Sequence, residues 1–255
     1  MIRKLIVLMG AAAALAACSS AGGTPPTSSV PVPTGTAAPS PRYSFPPYHP
    51  TIDSANFSTA ITNPYMPFTP GTTAVYTGTR DGIPLRIEVT VTTDTKTIMG
   101  VQCIVVRDIV TGALEERTTD WYAQDTAGNV WYFGEDTKEL KNGAVTSTAG
   151  SWEAGIDGAL PGIVMPAHPT PDGPYREEYR PGVAEDVAKV LRADASVKTP
   201  AGAYHNVVVT ENTDQLDVAK LEHKFYASGV GIVALNGVVN GHHEVVQLST
   251  LLATK

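Results

Sequence analysis

Apolar and polar residues alternate with period two along most of the chain from Thr72 onward, in stretches rich in Val, Thr, Ile and Tyr. Such alternation places successive side chains on opposite faces of a strand, so it predicts β-strands with one buried face. Turns that contain glycine separate the stretches. The expected strands are residues 72–79, 83–93, 98–110, 114–124, 129–133, 207–213, 220–227, 232–236 and 243–252.

The junctions between these strands are short, which favours antiparallel pairing of neighbours. One stretch, residues 184–192, fits a helix, although its alternation fits a strand nearly as well. No rhythm of alternating strands and helices is present, so we predict a mainly β fold. A meander of this kind must curl to cover its apolar face, which indicates a curved antiparallel sheet or half-barrel with little helix.

Residues 150–182 interrupt the alternation, because glycine and proline are frequent there. This composition predicts a long irregular loop that crosses one face or rim of the sheet. Long loops within compact domains are often functional. If the protein has a ligand site, we expect this loop to line it.

The first seventeen residues have the layout of a signal peptide, with basic Arg3 and Lys4 before an apolar stretch at residues 5–15. That stretch is shorter than the about 20 residues that a membrane-spanning helix needs. The following residues, 15–18 (LAAC), resemble the lipobox of bacterial lipoproteins. The resemblance implies cleavage before Cys18 and attachment of lipid to its thiol, and the alternative is a plain signal peptide with a free Cys18.

Residues 18–50 form the next predicted unit, in which Pro, Ser, Thr, Gly and Ala dominate and positions 19–41 carry no charge. Such a segment buries too little apolar area to offset the entropy of ordering it, so it is typical of an extended tether. A glycosylated stalk is an alternative. Aromatic residues enter between 42 and 70, which indicates an arm laid on the domain. We expect residues 51–255 to form a single β-rich domain.

The chain is acidic, with a formal net charge of −7 that becomes −9 once Arg3 and Lys4 leave with the signal peptide. It therefore lacks the basic surface that binds nucleic acid or anionic lipid headgroups. We expect membrane attachment through the N-terminal lipid and no nucleic-acid partner. The second cysteine, Cys103, lies in an apolar run, which indicates a buried, inert thiol.

Three segments carry a resemblance to a domain of uncharacterised exported bacterial proteins. They are residues 120–125 (DWYAQD), 128–136 (GNVWYFGED) and 222–226 (EHKFY) followed by 229–231 (GVG). The resemblance implies export but no particular activity. More distantly, the chain is similar to half-barrel lipoproteins of the LolA and LppX type, which fold around apolar ligands. That similarity implies a fold with a site for an apolar molecule.

Large apolar side chains are the first candidates for such a site. Tryptophans 121 and 131 fall on predicted strands, and other candidates fall in the Gly/Pro-rich segment. Stacking on a ligand and ordinary core packing both explain side chains of this kind. The candidate ligand-binding residues are Trp121, Trp131, Trp152, Met165 and Tyr175.

A metal site is a second possibility. Asp125 and Asn129 flank a glycine in the way that a calcium loop begins, although a hairpin turn explains the same residues. His168 and His223 are candidate ligands for a composite site across strands, because no pair of histidines has the spacing of a helical zinc motif.

No catalytic motif of a hydrolase, nucleotide-binding loop or dinucleotide-binding fingerprint occurs in the sequence. We therefore predict a non-enzymatic, membrane-tethered extracytoplasmic lipoprotein that needs no cofactor and binds a lipid or another apolar or amphipathic molecule. The alternatives are a metal-dependent hydrolase and a structural or interaction module of the cell envelope without a pocket.

Overall fold

The computed structural model describes residues 43–253, and within them almost all regular structure is β-strand. One 3-10 helix, Ser54–Asn56, precedes the first strand; Asp53 caps it by accepting a hydrogen bond from the Ala55 amide. The strands are β1 Phe57–Ser58, β2 Thr72–Arg80, β3 Ile83–Ile98, β4 Val101–Gly112, β5 Glu115–Asp125, β6 Val130–Lys141, β7 Ala144–Ser147, β8 Trp152–Glu153, β9 Leu160–Met165, β10 Pro174–Arg176, β11 Glu178–Tyr179, β12 Asp186–Thr199, β13 Gly202–Asp214, β14 Leu221–Ala227, β15 Gly231–Val239 and β16 His242–Ala253.

Two antiparallel meanders, β2 to β6 and β12 to β16, form most of a single sheet. The last strand, β16, pairs with the first long strand, β2, and so joins the two meanders. The sheet order is β10-β12-β13-β14-β15-β16-β2-β3-β4-β5-β6-β9-β11. The predicted mainly β, antiparallel fold is thus confirmed, and the sheet curls beyond a half-barrel into a nearly closed barrel with one seam.

The seam lies where one short segment changes partners. β10 pairs with β12 on one side, whereas β11, which begins two residues after β10 ends, pairs with β9 on the other. Glu177 stands between them, and its amide donates a 2.9 Å hydrogen bond to the carbonyl of Asp186 in β12. The segment therefore bridges the two edges of the sheet.

This arrangement corrects the prediction for residues 150–182. The segment is irregular in part, but it contains β8, β9, β10 and β11 and contributes to the barrel wall instead of crossing over a finished sheet. Glycine and proline hid the strands because they break the alternation of side chains. For residues 184–192 the strand alternative is confirmed, since β12 runs through them, and the helix alternative is wrong.

The beginning of the N-terminal arm, residues 43–48, lies on the outside of this seam. The hydroxyl of Tyr48 donates a 2.8 Å hydrogen bond to the carbonyl of Pro161 in β9, and the hydroxyl of Tyr43 donates to Glu211 in β13. Contact with the barrel thus extends back to Tyr43, into the segment predicted as tether. The predicted signal peptide and Cys18 lie outside the described residues. Within residues 43–253, no helix is long and apolar enough to cross a membrane.

Candidate functional site: an apolar pocket in the barrel

An apolar pocket opens into the barrel beside the joint between β16 and β2. The empty space at this opening, counted together with the adjoining open solvent, is about 700 Å³. Asp108 is the one charged side chain that lines it. The lining residues are Met66, Pro67, Phe68, Thr72, Ala74, Tyr76, Ile87, Val89, Val91, Asp108, Val230, Gly231, Ile232, Leu235, Val246 and Leu251.

Strand register builds one wall of the pocket as a row across four strands. Asp108 in β4 is the direct partner of Val89 in β3, Val89 of Ala74 in β2, and Ala74 of Leu251 in β16. Three strand spacings of about 4.8 Å make this row about 14 Å long. Asp108 is 5% exposed and Leu251 is 50% exposed, so the row runs from a buried acid to the open side of the pocket.

The roof of the pocket comes from the arm at Met66–Phe68 and the turn before β15. Buried Asn63 holds the arm in place, because its side-chain amide donates to the carbonyls of Gly128 and Pro166 at 3.0 and 3.1 Å. The amide of Gly229 donates to the carbonyl of Pro64 at 2.7 Å, which links the turn to the arm. The roof is therefore fixed by hydrogen bonds to three separate parts of the chain.

Tyr76 connects the wall to the roof. Its hydroxyl donates a 3.0 Å hydrogen bond to the carbonyl of Ile232. Burial, and to a smaller extent the charge of Asp108, raises the pKa of Tyr76, so the phenol remains neutral and able to donate. The Tyr76 hydroxyl is thus a polar group in the pocket that already has a hydrogen-bond acceptor within the protein.

An aromatic stack continues from the pocket into the barrel. Phe68, at the pocket, meets the ring of Tyr122 edge to face at 5.0 Å, and Tyr122 stacks on Tyr132 at 4.7 Å. Tyr132 in turn meets Trp152 edge to face at 5.4 Å. These contacts fill the interior on that side and limit the pocket to the region of β2 to β4, β15 and β16.

Two cross-strand carboxyl groups adjoin the stack. Asp120 in β5 is the direct partner of Glu135 in β6, and the Tyr132 hydroxyl donates to Asp120 at 2.6 Å and lies 3.2 Å from Glu135. Burial raises the pKa of Asp120 well above its usual range, and the charges of Glu135 and Asp108 raise it further. The interior beside the pocket is therefore rich in acid, and Asp120 keeps its proton to a higher pH than an exposed Asp does.

The predicted ligand-binding side chains do not line this pocket. Trp121 packs beneath the ammonium group of Lys96, which lies 3.5 Å from the ring centroid, and Trp131 donates its ring N–H to Asp125 at 2.8 Å. Trp152 belongs to the aromatic stack, and Met165 is fully buried opposite Val130.

Tyr175 lies in β10 opposite Ala188, on the seam side of the barrel. Within the described residues its buried hydroxyl has no hydrogen-bond partner, and burial raises its pKa. The segment 150–182 contributes no residue to this pocket, and its role in lining a ligand site stays a prediction. Its strands close the wall elsewhere, because β9 pairs with β6 and not with β2 or β16.

Asp125 and Asn129 form the ends of a hairpin turn. The carboxylate of Asp125 accepts hydrogen bonds from the backbone amide and the side-chain amide of Asn129, at 2.9 and 2.8 Å. The Asn129 side-chain oxygen accepts from the amide of Ala167, which ties the hairpin to the segment after β9. The Asp125 side chain thus contacts its own hairpin, and the Asn129 side chain contacts both the hairpin and its neighbour.

The two candidate histidines lie on different elements. His168 is exposed after β9, whereas His223 is half-buried in β14, where burial lowers its pKa. Across residues 43–253, no group of three or more His, Cys, Asp or Glu side chains is arranged to hold a metal ion.

The residues that form the pocket escaped the sequence reasoning, although one signal was present. Asp108 follows Val106 and precedes Val110 with period two, so an acid occupies an inward position of an apolar strand. The register that brings it into line with Leu251 depends on pairing between the two ends of the domain. No local pattern of residues in the sequence predicts that pairing.

No protein-family model matches this chain. No curated protein matches it either. Two solved structures are similar in fold: a protein from Bacteroides fragilis NCTC 9343 assigned as exported, with a YmcC-like fold, and a protein from Parabacteroides distasonis ATCC 8503 assigned as a lipoprotein. They are 13% and 11% identical to this chain, with TM-scores of 0.42 and 0.38. Each comparison covers 74% of this chain and 98% of the other.

Proposed function

We propose that this protein is an exported lipoprotein that binds an apolar or amphipathic molecule inside its barrel. The observation that carries the proposal is the pocket itself, whose lining is apolar except for a few polar groups. Ligand sites combine predominantly apolar walls with a small number of placed polar groups, which is the composition seen here.

The construction of the pocket supports a binding role. Ile87, Val89 and Val91 present successive inward side chains of β3, and hydrogen bonds hold the roof residues over them. A rigid, preformed site reduces the entropy lost on binding. An apolar molecule in this position would remove both its own surface and the pocket lining from water.

The N-terminal sequence supports the location of this activity. The signal peptide and the LAAC lipobox ending in Cys18 imply a lipid anchor outside the cytoplasm, and the tether would give the barrel reach from the membrane surface. A binding protein held at a membrane has direct access to molecules that are poorly soluble in water.

Native mass spectrometry tests the proposal. The protein is exported in its own cell envelope with a protease site inserted within residues 19–41, released by cleavage without detergent, and weighed. Val89→Phe fills the pocket, and Val145→Phe makes the same substitution at an exposed position of β7.

We expect a bound organic molecule on the wild type and on Val145→Phe, and its loss from folded Val89→Phe. Thermal unfolding of each variant checks that it is folded. An apo mass for the wild type, or equal occupancy in Val89→Phe, would contradict the proposed function.

A further inference from the structure

The position of Asp108 indicates what kind of molecule the pocket accepts. Its carboxyl group lies at the buried end of the row Asp108, Val89, Ala74 and Leu251, and no Lys, Arg or His is among the lining residues. A molecule that lies along this row would place one end against the acid and the other at half-exposed Leu251.

The buried side chains of the protein include more acids than bases. Among the described residues, eleven Asp and Glu side chains are buried, against three cationic ones. Arg80 pairs with Glu244 at 3.1 Å, Lys220 pairs with Asp186, and Lys224 lies 3.7 Å from Glu177 and from Glu222. None of the three cations reaches the pocket lining.

Other carboxyl groups lie beside Asp108 on the inner face of the sheet. Asp108 is the strand partner of Thr118 in β5, two residues before Asp120, and Asp120 is the partner of Glu135. A positive charge near Asp108 favours ionisation of these neighbouring acids, whereas a negative charge opposes it. The apolar walls exclude water and strengthen both effects.

We infer that the ligand is a cationic amphiphile, with an apolar chain along Val89, Ala74 and Leu251 and a protonated amine at the carboxylate of Asp108. This inference rests on the proposed function of the pocket. A hydrogen bond between an ammonium group and a carboxylate is stronger than one between neutral groups. The pocket therefore selects an amine over an alcohol of equal length and rejects a carboxylate.

The test compares three probes that share one chain length: octylamine, octanol and octanoate. Isothermal titration is done with residues 19–255, which include every described residue and omit the lipid acceptor, so that no detergent is needed. Asp108→Asn removes the charge with little change in shape. Asp172→Asn is the control, because it removes the same charge from an exposed turn.

We expect the wild type and Asp172→Asn to bind octylamine at least about tenfold more tightly than octanol, with octanoate weakest, as a charge-assisted hydrogen bond predicts. In Asp108→Asn, binding of octanol should change by less than about threefold, and the preference for octylamine should fall below about threefold. Circular dichroism and thermal unfolding confirm that each variant is folded.

The possible failures are distinct. Equal binding of all three probes by the wild type, or tighter binding of octanoate, would contradict the inference that the ligand is cationic. The proposal that the pocket binds an apolar molecule would not be affected. Retention of the amine preference by Asp108→Asn would also overturn the assigned role of Asp108. If none of the probes binds, both the proposed function and this inference are contradicted.

Discussion

The backbone of Gly162 in β9 lies against the backbone of Glu177 at the seam of the barrel. A Cβ atom on residue 162 would stand 2.4 Å from the carbonyl carbon of Glu177 and 2.6 Å from the carbonyl oxygen of Arg176. Real Cβ atoms do not approach backbone atoms this closely, so the seam closes only because residue 162 has no side chain. Glycine serves here to permit a close approach of two backbone segments.

Gly162→Ala should therefore destabilise the protein by about 1–3 kcal/mol, the usual cost of overpacking in a tightly packed region. The free energy of unfolding in urea measures it. Ala144→Ser, which adds one atom at an exposed position of β7, is the control and should change stability by less than about 0.5 kcal/mol. Equal stabilities of the two variants would show that the seam tolerates a side chain.

Arg176 should hold the arm to the seam. Its guanidinium carbon lies 4.5 Å from the ring centroid of Phe45 and 4.4 Å from that of Tyr179. Loss of a cation–π contact of about 1 kcal/mol should accelerate hydrogen exchange in residues 43–48 about fivefold. Arg176→Gln is the test variant.

Arg192→Gln is its control, because Arg192 is exposed and pairs only with Asp194 two residues away in the described contacts. Arg176→Lys should have a smaller effect than Arg176→Gln, since a lysine ammonium keeps the charge that attracts a ring but lacks the planar group that stacks on it. Unchanged exchange in both Arg176 variants would mean that the hydrogen bond from Tyr48 to Pro161 suffices to hold the arm.

The raised pKa of Asp120 predicts a dependence of stability on pH. Above about pH 4 the unfolded chain loses this proton, because an exposed Asp has a pKa of about 3.9, whereas the folded protein keeps it. The unfolded state then binds fewer protons, so the contribution of Asp120 to stability falls as the pH rises toward the folded-state pKa. The Asp120→Asn variant has no ionisable group at this position, so it should not lose stability in this way as the pH rises.

The difference in free energy of unfolding between Asp120→Asn and the wild type should therefore shift in favour of the variant between about pH 5 and about pH 8. Urea titrations at both pH values measure it. Asp172→Asn, an exposed Asp, is the control and should show no comparable shift. A constant difference for Asp120→Asn would contradict the assigned burial effect.

Cys103 should be chemically inert in the folded protein. Its side chain is fully buried in β4, and burial raises the pKa of the thiol to about 12. Because only the thiolate reacts, alkylation at about pH 8 should be roughly a thousandfold slower in the folded than in the unfolded chain. Residues 19–255 contain no other cysteine, which makes the reaction unambiguous.

Val145→Cys in a Cys103→Ser background gives the control, because position 145 is exposed and should react at the rate of an unfolded thiol. Rapid alkylation of Cys103 under native conditions would mean that β4 opens readily.

Substitution of each of the two cysteines tests whether lipid is attached at Cys18. In the Cys18→Ala variant, a labelled fatty acid should no longer be incorporated, and the protein should leave the membrane fraction. The Cys103→Ser variant should still incorporate the label and stay in the membrane fraction. Fatty-acid labelling in cells followed by membrane fractionation measures both. Label on the Cys18→Ala protein would contradict the lipobox assignment.

The amino-acid sequence by itself determined the mainly antiparallel β architecture. Alternation with period two is a local property, and it predicted strands close to β2, β3, β4 and β5 because each buries one face over many residues. The same local reasoning failed for β9 and β10, which are short and contain glycine or lie beside it. Packing against neighbouring strands, not alternation, makes those segments extended.

Only the tertiary structure decided the closure of the barrel and the place of the pocket. Pairing of β16 with β2 brings Leu251 beside Ala74, and the register of β2, β3 and β4 then aligns both with Asp108. The predicted tryptophans pack into the wall, because large aromatic side chains fill space wherever the sheet leaves it. A pocket remains where smaller side chains from distant strands meet, and that meeting depends on long-range register, which no local pattern encodes.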